Sequence, residues 1–288
     1  MSLVALFAAM GGEGADVIQT ETILHRYRNT HTSAMDDNGQ GDLFGEADRG
    51  ERRFSGFGEA DIAIVAALHS ASPMDFSVLP PQASRLFELS LNAYSDIVHA
   101  WMSELPITAG IIRFGQKILA AADSAAGDDG QRRAAEIAAS DHCDPDVGAV
   151  QAAAYKTLRE FDRLRGFLRF CPDEDGAYVA FCEPDHFVLP ALGPHFRERF
   201  GKTPWAIVDN KRRLCLCCEQ AQPPRLCELL ETAFLTTFLT AFADKPPGGE
   251  WEELWRNYHQ TINNESRNNP KLQRRFMPRR YWKYLTEL

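Results

Sequence analysis

Apolar residues recur along this chain with two different periods. From Ser84 to Leu105 the residues Phe87, Leu91, Tyr94, Val98, Trp101 and Leu105 return every three or four positions, which predicts one amphipathic helix ended by Pro106. Residues 107–122 repeat that pattern before "DSAAGDDGQ" interrupts it with Gly and Asp. A further helix opens at Asp144, a natural N-cap, with Pro145 in the first helical position; Val147, Val150, Ala154, Leu158 and Phe161 form its expected buried stripe. After this helix the period falls to two. "GFLRFC" and "AYVAFCE" flank "PDEDG" as one predicted hairpin, and "PWAIVD" and "RRLCLCCE" flank an "NK" turn as another. "VLPALGPHFRERFG" lies between them as a helix closed by Gly201.

Three more helical patterns finish the chain: 224–242, then 249–262 with Trp251, Leu254, Trp255, Tyr258 and Ile262 on one face, then a short basic piece from Pro270. The expected fold class is α+β, an antiparallel sheet of about four strands in hairpin-helix-hairpin order, framed by N-terminal and C-terminal helices. Residues 1–58 read as an N-terminal arm, partly disordered, in which "LVALFAAM" is the remnant of a first helix; Gly, Asp, Asn and Thr dominate the rest. Residues 59–288 read as a single domain. Its helical part is 59–164, its hairpins and their intervening helix are 165–220, and its C-terminal helices and basic end are 221–288.

A length of 288 residues with 44% hydrophobic content is ample for a core. No apolar run reaches membrane-span length and no basic leader opens the chain, so a cytoplasmic protein without membrane contact is expected. The seven cysteines are an odd number, and disulfides are not expected at this size and location. The net charge of −9 hides an asymmetry, because the segment from Arg256 onward carries +6 and the body −15. A basic end on an acidic body suggests one focused anionic contact.

Two segments could carry chemistry. "CEPDHF" places Glu183, Asp185 and His186 at a strand end, where a carboxylate can orient an imidazole as a general base; the alternative is a helix cap and two surface groups. "RRFMPRRYWKYL" interleaves Arg274, Arg275, Arg279, Arg280 and Lys283 with Phe276, Tyr281, Trp282 and Tyr284, a mixture suited to phosphates and stacked bases. The alternative there is that the aromatics dock on the body while the arginines meet its acid. Arg163, Arg165, Arg169, Lys211, Arg212 and Arg213 extend the basic surface or simply solvate a strand face. "CLCC" lacks a second pair at zinc-ribbon spacing, so Cys215 and Cys217 read as buried on one sheet face. No metal or cofactor site is expected, and no P-loop, nucleophile elbow or zincin motif appears.

Several strings together closely resemble a bacterial family built on a domain of unknown function and named for DNA repair or DNA metabolism: "DPDVGAVQAAAYKTLREFDRLRGFLRF", "AYVAFCEPDHFVLPALGPHFRERF", "PWAIVDNKRR" and "WEELWRNYHQTINNESRNNPKLQRRFMPRRYWKYL". The resemblance runs from about Asp144 to the end, with a looser fit at Ser84–Ala122. It implies a DNA-damage or DNA-modification context and a radical S-adenosylmethionine (radical SAM) iron–sulfur partner protein, some relatives being fused to a uracil-DNA glycosylase-like domain. The family's motif positions carry over as Arg169, Glu183, Pro184, Asp185, His186, Pro194, His195, Phe196 and Met277 through Trp282. Asp162 stands where relatives have a His, and relatives open with a strand before the helix that "SLVALFAAM" resembles, so either the start is placed late or that strand is lost.

The leading expectation is a DNA-associated repair or modification factor working with a radical SAM partner. Its nucleic-acid contacts would be Arg169, His195, Lys211, Arg274, Arg275, Arg279, Arg280, Tyr281, Trp282 and Lys283. Whether it is an enzyme stays open: a glycosylase or nuclease using Glu183, Asp185 and His186 is one alternative, a protein adaptor another. "QGDLF" is similar to the pattern by which bacterial replication and repair proteins bind the sliding clamp, with Gln40 and Asp42 beside an apolar pair, Leu43 and Phe44, that fits an external pocket or packs on the protein itself.

Overall fold

A computed structural model describes residues 1–11, 59–70, 74, 76, 77, 79–172, 176–219, 222–228, 250–262, 264, 266 and 269–285. The expected arm falls almost wholly at 12–58, outside the described residues. The chain divides into two compact units, one of residues 1–64, 73–101 and 105–154, the other of 65–72, 102–104 and 155–288.

The first unit is helical. Helix α1 (Leu3–Ala9) is capped by Ser2, whose hydroxyl accepts from the Ala5 amide, and it buries Leu3, Leu6 and Phe7. Asp61 in α2 (Glu59–Leu68) accepts from the Leu3 amide at 3.0 Å, satisfying a second orphan donor at that helix start. The helix expected over Ser84–Leu105 is two, α3 (Pro81–Leu89) and α4 (Leu91–Met102), because Ser90 is extended (φ −158°, ψ 105°). Its hydroxyl accepts from the Ala93 amide at 3.3 Å, the job of an N-cap. Apolar spacing alone carries no sign of that break. Helix α5 (Thr108–Asp123) follows, then α6 (Asp128–Ala139), which begins inside the stretch read as a breaker: Gly127 sits at φ 73° and Asp128 and Asp129 occupy the first turn, favourable at the positive end of a helix. Helix α7 (Pro145–Phe167) starts as expected, the Asp144 carboxylate accepting from the Asp146 amide at 2.8 Å.

The second unit holds the sheet: β1 (Cys171–Pro172), β2 (Tyr178–Cys182), β3 (Trp205–Asp209), β4 (Leu214–Cys218) and β5 (Arg225–Glu228), in that spatial order. It is mixed, not purely antiparallel, and among the described residues it has five strands, not four. β1 pairs β2 antiparallel and β3 pairs β4 antiparallel, whereas β2 and β3 run parallel in register from Tyr178 opposite Trp205 to Cys182 opposite Asp209. Helix α8 (Leu189–Phe200) makes the crossover that a parallel pair requires. β5 replaces the start of the helix expected at 224–242; the Pro223-Pro224 pair that precedes it cannot continue a helix, and Leu226 pairs with Leu216 of β4. Residues 229–249 lie outside the described set. Cys215 and Cys217 are buried on one sheet face with Val179, Ala206 and Val208.

Phe170, Phe196, Phe200 and Trp205 pack with ring centroids 4.7–6.4 Å apart, joining α8 to the sheet. Helix α9 (Glu250–Ile262), helix α10 (Pro270–Phe276) and a 3-10 segment (Arg279–Tyr284) complete the described chain. Among the described residues no helix is long and apolar enough to cross a membrane. Phe196 is fully buried at the centre of the aromatic group, so Phe196→Ala is expected to lower unfolding free energy by about 3–5 kcal/mol, measured by denaturant titration.

Candidate functional site

Helix α7 buries Val147, Val150, Ala153, Ala154, Thr157, Glu160, Phe161 and Leu164. Leu158 is half-buried, so the stripe rotates and carries a carboxylate inward at Glu160, 1% exposed. Four donors meet that carboxylate. One oxygen accepts from the Asp185 amide (2.9 Å), the Tyr281 hydroxyl (2.6 Å) and the Arg280 guanidinium (2.9 Å); the other accepts from the His186 amide (2.6 Å). Burial pushes the Glu160 carboxyl upward, but the hydrogen bonds from Tyr281 and the two amides, with the Arg280 charge, outweigh it and hold the group below the usual carboxylate range.

The donors come from the two segments singled out in the sequence. The loop after β2 supplies the amides, and the 3-10 segment supplies Arg280 and Tyr281. Two further ion pairs join them, Arg280 to Asp185 at 2.7 Å and Lys283 to Glu183 at 2.6 Å. The Lys283 ammonium, helped by the Tyr284 hydroxyl, holds the Glu183 carboxyl below its ordinary value. Tyr281 is buried, with Phe167 at 5.5 Å and the Arg280 guanidinium 4.7 Å over its ring.

A second network shapes the loop. Arg212, in the turn between β3 and β4, donates to Glu104 (3.1 and 2.5 Å), Asp209 (2.7 Å) and the carbonyls of Pro184 (2.9 Å) and Asp185 (2.9 Å). Lys211 also donates to the Asp185 carbonyl, at 3.1 Å. The His186 Nδ1 lies 2.6 Å from the Ser103 carbonyl; since a carbonyl only accepts, Nδ1 carries the proton and Nε2 is the nitrogen with a lone pair in the neutral ring.

Between α7, this loop and the basic end lies a cleft of about 470 Å³ lined by Tyr155, Lys156, Arg159, Glu160, Arg163, Asp185, His186, Arg275 and Arg280. All of these belong to the second unit. Arg159 donates to the Tyr155 hydroxyl at 3.1 Å; among the described residues, Lys156, Arg159, Arg163 and Arg275 have no carboxylate partner. Lys156, Arg159, Glu160 and Arg163 sit at helical spacings of 0, 3, 4 and 7, so one face of α7 aims them together. Sequence reasoning missed Lys156, Arg159 and Glu160, although this spacing is a signal that could have pointed to them.

Other expected site residues fall elsewhere. Glu183 pairs with Lys283 outside the cleft. Arg169 donates to the Gly166 carbonyl, and Arg274 also lies off the cleft. His195 on α8 is half-buried, its basicity lowered by burial and by the Arg165 and Arg199 charges. Arg279 is exposed with its guanidinium 5.8 Å from the Trp282 ring, and the Trp282 indole donates to the Met277 carbonyl. Gln40, Asp42, Leu43 and Phe44 lie outside the described residues. Among the described residues no group of three or more His, Cys, Asp or Glu side chains is placed to hold a metal ion.

With this geometry in place, the comparisons assign a family: the chain belongs to DUF4130, a domain of unknown function, whose pattern matches residues 131–287. No curated protein and no solved structure matches the chain. The matched segment includes every residue that lines the cleft.

The depressed Glu160 carboxyl has a defined pH signature. Its folded value lies below the unfolded one, roughly 4.3, so its contribution is complete above the unfolded value and is lost as pH falls through the folded one. Glu160→Gln is expected to be less stable than wild type at pH 7 by about 2–4 kcal/mol. The difference should shrink as pH is lowered from about 5 toward 2, read by denaturant titration at each pH; a difference constant with pH contradicts the assignment.

Proposed function

We propose that this chain is a DNA-associated factor of repair or modification that holds phosphate in the cleft beside Glu160. The supporting observation is the convergence of Lys156, Arg159, Arg163, Arg275 and Arg280 on one concavity of a chain whose net charge is −9. Four of the five, Lys156, Arg159, Arg163 and Arg275, have no carboxylate partner among the described residues, and cations gathered against the average charge of the molecule concentrate a positive field where a polyanion would be steered. Arginine predominates among them, and its planar fork suits phosphate oxygens.

In this reading the basic end acts in two parts. Arg280, Tyr281 and Lys283 anchor the segment to the loop, with Arg280 also lining the cleft, while Arg275 and the three α7 cations meet phosphate. The family resemblance supports a radical SAM protein as partner, which would supply the iron–sulfur chemistry, and supports DNA repair or modification as the setting in which the pair would act. A second reading, a stand-alone DNA-processing enzyme, is favoured by one observation: Asp185 and His186 line the same cleft, and the His186 ring is held by its Nδ1 hydrogen bond. Asp185 is committed to Arg280 and Glu183 to Lys283, so His186 is the group to test for turnover.

Binding to duplex DNA across a salt series tests the main reading. About four phosphate contacts give a slope of log affinity against log salt near −3.6. Arg163→Ala and Arg275→Ala should each make the slope shallower by about 0.9. A wild-type slope shallower than about −1, or one unchanged in both variants, contradicts the proposal.

A further inference from the structure

The cleft differs from a track for a nucleic-acid backbone in how its charges are arranged. A phosphodiester chain carries one charge per phosphate and is met by cations strung along a groove. Here five cations surround one space of about 470 Å³, a size typical of small-ligand sites. Against them stand two carboxylates, Glu160 and Asp185, leaving a surplus of three positive charges around one compact position. Such a surplus suits a dianion better than a monoanion.

The floor of the cleft is also set in advance. Arg280 has five N–H donors. Glu160 and the Tyr281 hydroxyl take two from one terminal nitrogen, and Asp185 takes one from the other. Two N–H groups remain on a guanidinium whose orientation is held by a buried carboxylate and by the Tyr281 ring. Ordering that donor before the ligand arrives lowers the entropy lost on binding. On the same wall Tyr155 is 61% exposed, with the Arg159 guanidinium 5.9 Å from its ring. An exposed aromatic beside cations is a platform on which a base can stack.

We propose that the cleft receives a nucleotide phosphomonoester, with the phosphate among Arg280, Arg275 and Arg163 and the base against Tyr155. This rests on the phosphate-binding reading above and narrows it from the internal backbone to a terminal phosphate. The same chemistry occurs at the end of a nicked or broken strand and in a free mononucleotide.

Fluorescence anisotropy on the full chain separates these cases. The probes are single-stranded 12-mers ending in a 5′-phosphate, a 3′-phosphate or hydroxyls only, with AMP as competitor. A terminal phosphate adds about two negative charges, which at contact distance predicts that one phosphorylated 12-mer binds at least about tenfold tighter than the unphosphorylated strand at fixed salt. Arg163→Ala, with its fold checked by circular dichroism, should reduce that preference to about twofold or less. AMP displacing the phosphorylated 12-mer at matched concentration supports the phosphomonoester site and identifies a free nucleotide as its source. Equal affinity for all three 12-mers, with the steep salt slope retained, overturns the terminal-phosphate inference and leaves DNA binding standing. Absence of binding to every oligonucleotide, even at low salt, overturns both.

Discussion

A carboxylate removed from water has to be met by donors, and Glu160 is met by four from two distant parts of the sequence. Leaving it unmet would cost several kcal/mol, so the loop at 184–186 and the segment at 279–284 are each held where they satisfy it. The basic end is therefore folded against the sheet and is no solvated tail. Everything that makes the cleft a cleft depends on this: α7 forms one wall, the loop another, and the segment behind Tyr281 brings Arg280 and Arg275 to face Arg159 and Arg163.

The Arg212 network supports the loop from the other side. Arg212 is 9% exposed and faces Asp209, which is fully buried, together with Glu104 and two loop carbonyls. Burial raises the Asp209 carboxyl even though the Arg212 charge and hydrogen bonds oppose it. Here the favourable pairing does not fully offset desolvation, whereas at Glu160 it does. The difference follows from donor number and origin: Glu160 collects two loop amides, a hydroxyl and a guanidinium, while Asp209 depends largely on its own turn, through Arg212 and the Lys211 amide. Charged groups that look alike in the sequence thus have separate tasks. Arg212 braces, Arg280 both braces and faces the cleft, and Arg163 faces it with no carboxylate partner among the described residues.

Local signals in the sequence read out well where local chemistry decides. Asp144-Pro145 starts a helix, and "AYVAFCE", "PWAIVD" and "RRLCLCCE" hold strands, because capping and β-propensity act over a few residues; in "GFLRFC" Gly166 and Phe167 instead end α7 and only Cys171 is strand. The break at Ser90 was hidden because the apolar spacing continues through it. β5 was hidden because its four residues, Arg225–Glu228, show no alternation distinct from the helical pattern expected there, and only pairing with β4 makes it a strand. The parallel alignment of β2 and β3 is a tertiary choice made by the α8 crossover. Glu160 lies next to the apolar stripe of α7, yet its partners are some 25 and 120 residues away, beyond the reach of any periodic pattern. The two segments "CEPDHF" and "RRFMPRRYWKYL" were legible one at a time, and their meeting was not.

The most direct measurement of that meeting is a double-mutant cycle on Glu160 and Tyr281, with Glu160→Gln, Tyr281→Phe and the pair compared by denaturant titration at pH 7. If the buried carboxylate is what holds the basic segment in place, the pair couples by about 1–3 kcal/mol. Additive losses, with coupling under about 0.3 kcal/mol, would mean that the segment docks by its aromatic surface alone and that Glu160 does not organise the site.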